Sequence, residues 1–319
     1  MLGRLVDDAQ RQRPVSAVWG SMLDRLERLD GLLVNLECCL STRGEPWQRT
    51  NRTFHFRADP DWAVPALQTA GVDCCALANN HVLDFETVAL SDTLAHLDDG
   101  DIARAGAGPE RAAAFEPAVV SVGPLDVAVL SLTDNTPEYA AGARTPGTAY
   151  VRIDAGDRTT RARVSSALAR ARECDPDLVV ASLHWGPNMA TEPPDSFRTF
   201  ARWLVEEGVD VIHGHSAHVF QGVEVVDGTP VCYDTGDFID DYAVDAELRN
   251  DRSFLFEVCI EDATPSKLRL LPTEIDEFAV HEAGPDTAAW SRQRMRERSA
   301  AFETTFHRTD EGLVVPLGE

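Results

Sequence analysis

Lysine is almost absent from this sequence: Lys267 is the only one in 319 residues, and arginine supplies the rest of the basic charge. With 29 basic against 53 acidic side chains the formal net charge is −24, which excludes a nucleic-acid backbone as a general partner, because phosphate binding needs a basic surface. No apolar run reaches the ~18 residues that would cross a bilayer, and the opening MLGRLVDDAQRQRP lacks the apolar core of a secretory signal. No C-x-x-C pair occurs either. The seven cysteines, Cys38, Cys39, Cys74, Cys75, Cys174, Cys232 and Cys259, lie mostly inside apolar runs. They read as buried thiols of a reducing compartment, which argues against both disulfide staples and a thiolate zinc site. With no internal repeat and no flexible linker, the expectation is one domain over 1–285, with a C-terminal helix and tail, 286–319, packed on it.

What is present is a normal globular core, 44% of the residues being hydrophobic. The acidic excess is spread along the chain rather than gathered in a tail. That suits a protein of high salt, where carboxylates keep a surface hydrated and their repulsion is screened; arginine bias from a GC-rich genome is the alternative.

Apolar runs alternate with helical patterns. GLLVNLE, a helix from Asp61 to Ala70, VDCCALANN and a helix from Glu86 to Leu97 give a β-α-β-α rhythm and hence a largely parallel sheet, an α/β fold. PAVVSV and LDVAVLSLTDN form a hairpin at Gly123-Pro124, followed by a long polar loop, 133–150, of the kind that walls or covers a site. A helix over 158–172, DLVVASLHWG, a helix over 195–207 and VDVIHGHSAH restore the rhythm. A hairpin then turns at Asp227-Gly228, the strands RSFLFEVCIE and SKLRLLPTEI follow, and a terminal helix over 286–305 presents Trp290 and Met295 on its apolar face.

Five apolar strands run directly into metal-competent side chains: Asn35 and Glu37; Asn79, Asn80, His81 and Asp84; His184; His213, His215 and His218; Asp234 and Asp237. Carboxyl ends of strands are where open α/β sheets bind ligands. The mixed nitrogen and oxygen set suits divalent Mn, Fe or Zn, and a pair of such ions can clamp a phosphoryl-like group. Each cluster has a blander reading. Asn79 or Asn80 could cap a turn, His184 could be a packed core imidazole, Glu37 a loop carboxylate, and Asp84 either a helix cap or the group that orients His81. Arg49, Arg52 and Arg57 could be counter-charges for an anion or an ordinary solvated loop. Asp240 and Asp241 read as a solvated pair. HGHSAH resists a packing explanation best, since it sets three histidines at one strand end.

NLE, ANNHVLD, SLHWG, GHSAHVFQGVE and YDTGDF, in that order, resemble the CapA family, associated with poly-γ-glutamate capsule synthesis, over about the first three quarters of the chain. The resemblance implies a calcineurin-like metallophosphoesterase fold, a β-sandwich flanked by helices, with two divalent metal ions held by loops at strand ends. It places Glu37 as the metal-bridging acid, Asn80, His184, His215 and His218 as further ligands, and His81 as the acid beside the leaving group. Asn35, Asn79, Arg52 and Asp237 become candidates for touching substrate, an anionic polymer or a phosphoester. A metal-assisted polymer-binding or assembly component without turnover is the other function it implies.

There are departures from the family pattern. The family opens with an apolar strand ending in Gly-Asp before a stretch like Met1-Leu2-Gly3-Arg4, so that strand and its metal-binding aspartate are expected either upstream of this start or not at all. Ser216-Ala217-His218 stands for His-Pro-His, and Gly236-Asp237-Phe238 for Gly-Asn-Phe, which leaves His213 and His215 as rival ligands. The thiols argue for the cytoplasm and capsule work for the cell surface, so the localisation stays open.

Overall fold

The computed structural model describes residues 1–318. A parallel three-stranded sheet carries β1 (Leu33–Asn35), β2 (Cys74–Ala76) and β3 (Ala103–Ala105) in that order. Helices α1 (Pro60–Thr69) and α2 (Glu86–Asp99) connect them. Helix α1 starts where Asp59 accepts the Asp61 N–H at 3.0 Å and Pro60 supplies a ready-made helical φ. Along β2 the pleat divides the sheet's two packing partners. Cys75 joins Leu67, Leu90 and Leu97 in the helical cluster, while Cys74 turns the other way onto Val129.

That second partner is a six-stranded sheet built from β4 (Ala118–Val122), β5 (Leu125–Thr133), β6 (Leu178–His184), β7 (Val211–His215), β8 (Val223–Val226) and β9 (Thr229–Cys232). Its order is β8-β9-β7-β6-β5-β4; β5, β6, β7 and β9 run parallel, and an antiparallel hairpin closes each side. Helices α3 (Arg158–Glu173) and α4 (Asp195–Glu206) cover its outer face, where Leu168, Phe200 and Leu204 are fully buried against Leu130, Leu183 and Ile212. A third, antiparallel sheet follows: β10 (Arg252–Glu261), β11 (Thr264–Asp276), β12 (Ala279–Glu282) and, beyond helix α5 (Pro285–Arg298), β13 (His307–Arg308) and β14 (Leu313–Pro316). Met295 of α5 shares one apolar cluster with Phe254, Leu268 and Leu270 of this sheet.

The sequence-based elements stand within a residue or two, with corrections at the end of the chain. Helix α5 stops at Arg298 instead of continuing to 305, and a left-handed Glu303 (φ 58°) ends the short turn that follows it. Strands β13 and β14 are additions to the expected elements: Leu313-Val314-Val315 is a short apolar run that becomes a strand by pairing with Lys267–Leu270 of β11, far away in sequence. The cysteines are not all buried, since Cys174 is exposed and Cys259 half-buried. Asp240 and Asp241 are not solvated. Asp240 is 5% exposed, and the Asp241 side chain is fully covered beside Arg4, 3.4 Å away. The first residues fold across this loop, Met1 donating its terminal N–H to Ile239 O, a contact that spans 238 positions.

Glu224 ties α4 to the β8–β9 hairpin. It accepts from Arg202 at 2.8 Å and from Tyr233 Oη at 2.6 Å, with Arg198 3.3 Å away. Burial pushes its pKa up, but the Tyr233, Arg198 and Arg202 donors outweigh this and hold it below the ordinary carboxylate value. A lowered carboxyl pKa stabilises the fold above the unfolded value of about 4.3, and that stability is lost as the pH falls through the folded value. Glu224→Gln should therefore unfold at lower urea than the parent at neutral pH, with the gap closing toward pH ~3. An equal gap at both pH values would show that the charge is not coupled to folding.

Candidate active site

Because β1, β2, β5, β6, β7 and β9 all end on the same side, the polar residues that follow them converge. Asn79 begins the second cluster with a turn: its Oδ1 accepts the His81 and Val82 N–H groups at 3.1 Å each, and its Nδ2 donates to Asn35 Oδ1 and Leu36 O. Its side chain is fully buried and its hydrogen bonds are spent within the site's own loops. That turn aims His81 at Asp84. Asp84 Oδ2 lies 2.5 Å from His81 Nδ1 and also accepts the Phe56 N–H at 2.8 Å. Its Oδ1 accepts from Tyr139 Oη at 3.1 Å and stands 3.4 Å from Arg52 Nε. Asp84 does not cap α2, whose start has no side-chain cap. Holding Nδ1 leaves His81 Nε2 pointing into the site, 3.9 Å from Glu37 Oε1.

Glu37 is 5% exposed, and its Oε2 is held by Asn35 Nδ2 at 3.0 Å. Its Oε1 is also 3.9 Å from His184 Nε2. Among the described residues, Glu37 Oε1, His184 Nε2, Asn80 Oδ1 and Asp237 Oδ2 are buried without a hydrogen-bond partner. Burial presses His184 down to about 4, so it is neutral at physiological pH with a lone pair to offer. Burial pushes Glu37 up, but the His184, His218 and His81 rings together hold it below the ordinary value. His218 goes the other way: against its burial, Asp237, 2.9 Å from Nδ1, raises it to about 10. His215 places Nδ1 2.9 Å from His184 Nδ1 and Nε2 2.9 Å from Ser182 Oγ. His213 lies 3.0 Å from the same Ser182 hydroxyl. Among the described residues no group of three or more His, Cys, Asp or Glu stands at metal-holding spacing. The unpartnered carboxylate oxygen, imidazole nitrogen and amide oxygen are of the types that a hard or borderline divalent cation takes as ligands, and that a water would also satisfy.

Over residues 1–242 the chain matches the family described as bacterial capsule synthesis protein PGA_cap. The chain belongs to this family. It is 33% identical over 298 residues to a Mycobacterium tuberculosis protein named "Probable polyglutamine synthesis accessory protein", covering 89% of this chain and 77% of that one. The PGA biosynthesis protein CapA of Bacillus subtilis is 26% identical over 283 residues, covering 84% and 72%. Among solved structures, a hypothetical protein from Thermus thermophilus superposes with a TM-score of 0.49 at 17% identity, covering 83% of this chain and 96% of that one.

In this PGA_cap chain several working parts had no signature of their own. Tyr139 belongs to the 133–150 loop, which forms a wall of the site; the loop's length and polarity pointed to the segment but not to this residue. Asn135 from the same loop donates to Ser216 Oγ at 3.0 Å, and Ser216 donates to Gly186 O at 3.0 Å. Those bonds hold Ser216 at φ 124°, a conformation L side chains rarely adopt, between His215 and His218. Of the three arginines, only Arg52 reaches the site, donating to Asn80 O and, at 3.1 Å, to Thr136 Oγ1. Arg49 pairs with Glu86, and Arg57 bonds the carbonyls of Arg43 and Gly44.

Proposed function

We propose that this PGA_cap protein is a divalent-metal-dependent hydrolase of phosphoester-like bonds acting in capsule polymer synthesis, on a calcineurin-like metallophosphoesterase scaffold. The observation that carries this reading is the set of buried, unpartnered donors Glu37 Oε1, His184 Nε2 and Asn80 Oδ1 beside the His81–Asp84 pair. Glu37, Asn80, His184, His215 and His218 would hold the metal, Asp237 orienting His218. Two such ions supply Lewis-acid stabilisation of phosphoryl oxygens and a lowered pKa for a bound water. His81, fixed by Asp84, hands a proton to the leaving oxygen. Arg52 braces the Asn80 turn and Asp84, and Tyr139 and Phe56 N–H lock the same carboxylate. A second reading, a metal-assisted polymer-binding component without turnover, is supported by His215 having both nitrogens engaged and by the mycobacterial relative's printed description as an accessory protein.

The test is to load the protein with Mn²⁺, remove loosely held ions by dialysis, and measure metal content and hydrolysis of bis-p-nitrophenyl phosphate, p-nitrophenyl phosphate and a γ-glutamyl p-nitroanilide. About two retained ions per chain with diester or monoester turnover is the expected result. Retained metal with all three substrates inert selects the binding component, and no retained metal sinks both readings.

A further inference from the structure

Four large apolar side chains stand exposed among the described residues: Leu5, Phe54, Val119 and Val244. A single exposed apolar residue is ordinary, but a group of them beside a site marks a binding surface. Three of the four belong to segments that meet at Asp241. Asp241 Oδ2 accepts the Leu5 N–H at 2.9 Å and stands 3.4 Å from Arg4 Nε. The Arg4 guanidinium in turn lies 4.4 Å from the Phe54 ring centre, and Val244 follows two residues after Tyr242. Val119 belongs instead to β4.

This shelf is continuous with the candidate active site. The Tyr242 ring centre is 4.8 Å from that of His218, edge to face, and 5.8 Å from that of Phe54. Beneath them the fully buried Phe56 ring is 4.6 Å from His81 and 5.9 Å from Tyr242. Phe54 is 43% exposed, yet Arg4, Tyr242 and Phe56 all hold it. An exposed ring fixed in this way can stack on a ligand without losing further side-chain freedom. At its edge Arg4 Nη1 is buried without a hydrogen-bond partner, a donor available to an acceptor on the ligand.

The surroundings favour an uncharged occupant. The loop that carries Tyr242 also carries Asp237, Asp240, Asp241 and Asp245, and Arg4, the cation stacked on Phe54, already faces Asp241. An anionic tail would be repelled by that loop and would lose hydration against the rings.

We propose that the Phe54–Tyr242 shelf is the subsite for an uncharged planar ring, joined by a short spacer to the ester held at the metal-binding residues. The shelf runs outward from His81 and His218, so the ring belongs to the leaving group; this part rests on the role given to His81 above. A ring bonded directly to the leaving oxygen would stop at Tyr242, and a spacer of a few atoms carries it to Phe54.

The test measures binding of 2-phenylethanol and of its saturated counterpart, 2-cyclohexylethanol, to the full chain with and without Mn²⁺, by ligand-observed NMR. The planar ring is expected to bind more tightly although it is the less apolar of the two, and to need no metal. Phe54→Ala should weaken it about 3–10-fold, the worth of an aromatic pair. Phe54→Trp should keep the affinity, Phe54→Leu should not, and Val119→Ala should match the parent. With Mn²⁺ present, 2-phenylethyl phosphate should be cleaved with a lower KM than 2-cyclohexylethyl phosphate. Ring binding that depends on Phe54, with neither ester cleaved, keeps the subsite and removes the hydrolase reading. No binding of 2-phenylethanol, equal affinity for the two alcohols, or equal affinity of the parent and Phe54→Ala overturns the subsite, even if both esters are cleaved.

Discussion

His81→Ala is expected to lower phosphodiester turnover by about 10²–10⁴-fold, the range for losing a positioned general acid, while the bound metal content stays that of the parent. The geometry separates the two readouts. His81 spends Nδ1 on Asp84 at 2.5 Å, so only Nε2 is available, and the unpartnered donors Glu37 Oε1, Asn80 Oδ1 and His184 Nε2 are untouched by the substitution. The loss should also depend on the leaving group. A p-nitrophenolate leaves with little help and should fall least, whereas an alkyl alcohol needs the proton and should fall most. Metal content falling in parallel with activity would make His81 a ligand rather than the acid. A loss of equal size for both leaving groups would remove its proton-donor role.

Asp84→Ala is expected to be among the most destabilising single changes at the site, about 3–5 kcal/mol by urea unfolding, the scale for breaking a buried charge pair by removing one partner. The carboxylate is fully buried and meets His81 Nδ1, the Phe56 N–H, Tyr139 Oη and the Arg52 guanidinium. Its removal leaves Phe56 N–H and the 11%-exposed Arg52 side chain without it. Asp84→Asn keeps the shape and one acceptor, so it should retain more stability than alanine yet lose as much turnover, because the amide no longer offers His81 Nδ1 a charged partner. Unfolding of Asp84→Ala within ~0.5 kcal/mol of the parent, the size of an ordinary surface substitution, would show that the four contacts are not energetically coupled.

The parallel core and the placement of the site were legible because buried parallel strands read as apolar runs, and a metal-competent cluster at a strand's end has one place to go. ANNHVLD, SLHWG and GHSAH therefore located themselves. The partition of labour within a cluster was not legible. Asn79 and Asn80 are adjacent and chemically identical, yet backbone geometry commits Asn79 to the turn and leaves the Asn80 amide oxygen unpartnered. His215 was placed correctly at a strand end, but its bonds to His184 and Ser182 depend on the parallel register that sets His184 beside His215 and Ser182 beside His213.

By itself the sequence determined the α/β order, the capsule-synthesis family and the strand ends that carry the polar clusters, since these follow from hydrophobic period and short local motifs. Only the tertiary structure decided that Tyr139 and Arg52 fix Asp84, that Asp240 and Asp241 are buried under the first residues, and that Phe54 meets Tyr242 beside His218. Each of these is a contact between segments tens to hundreds of residues apart. Such contacts are set by how the sheets and loops close on one another, and no local pattern of side chains encodes them.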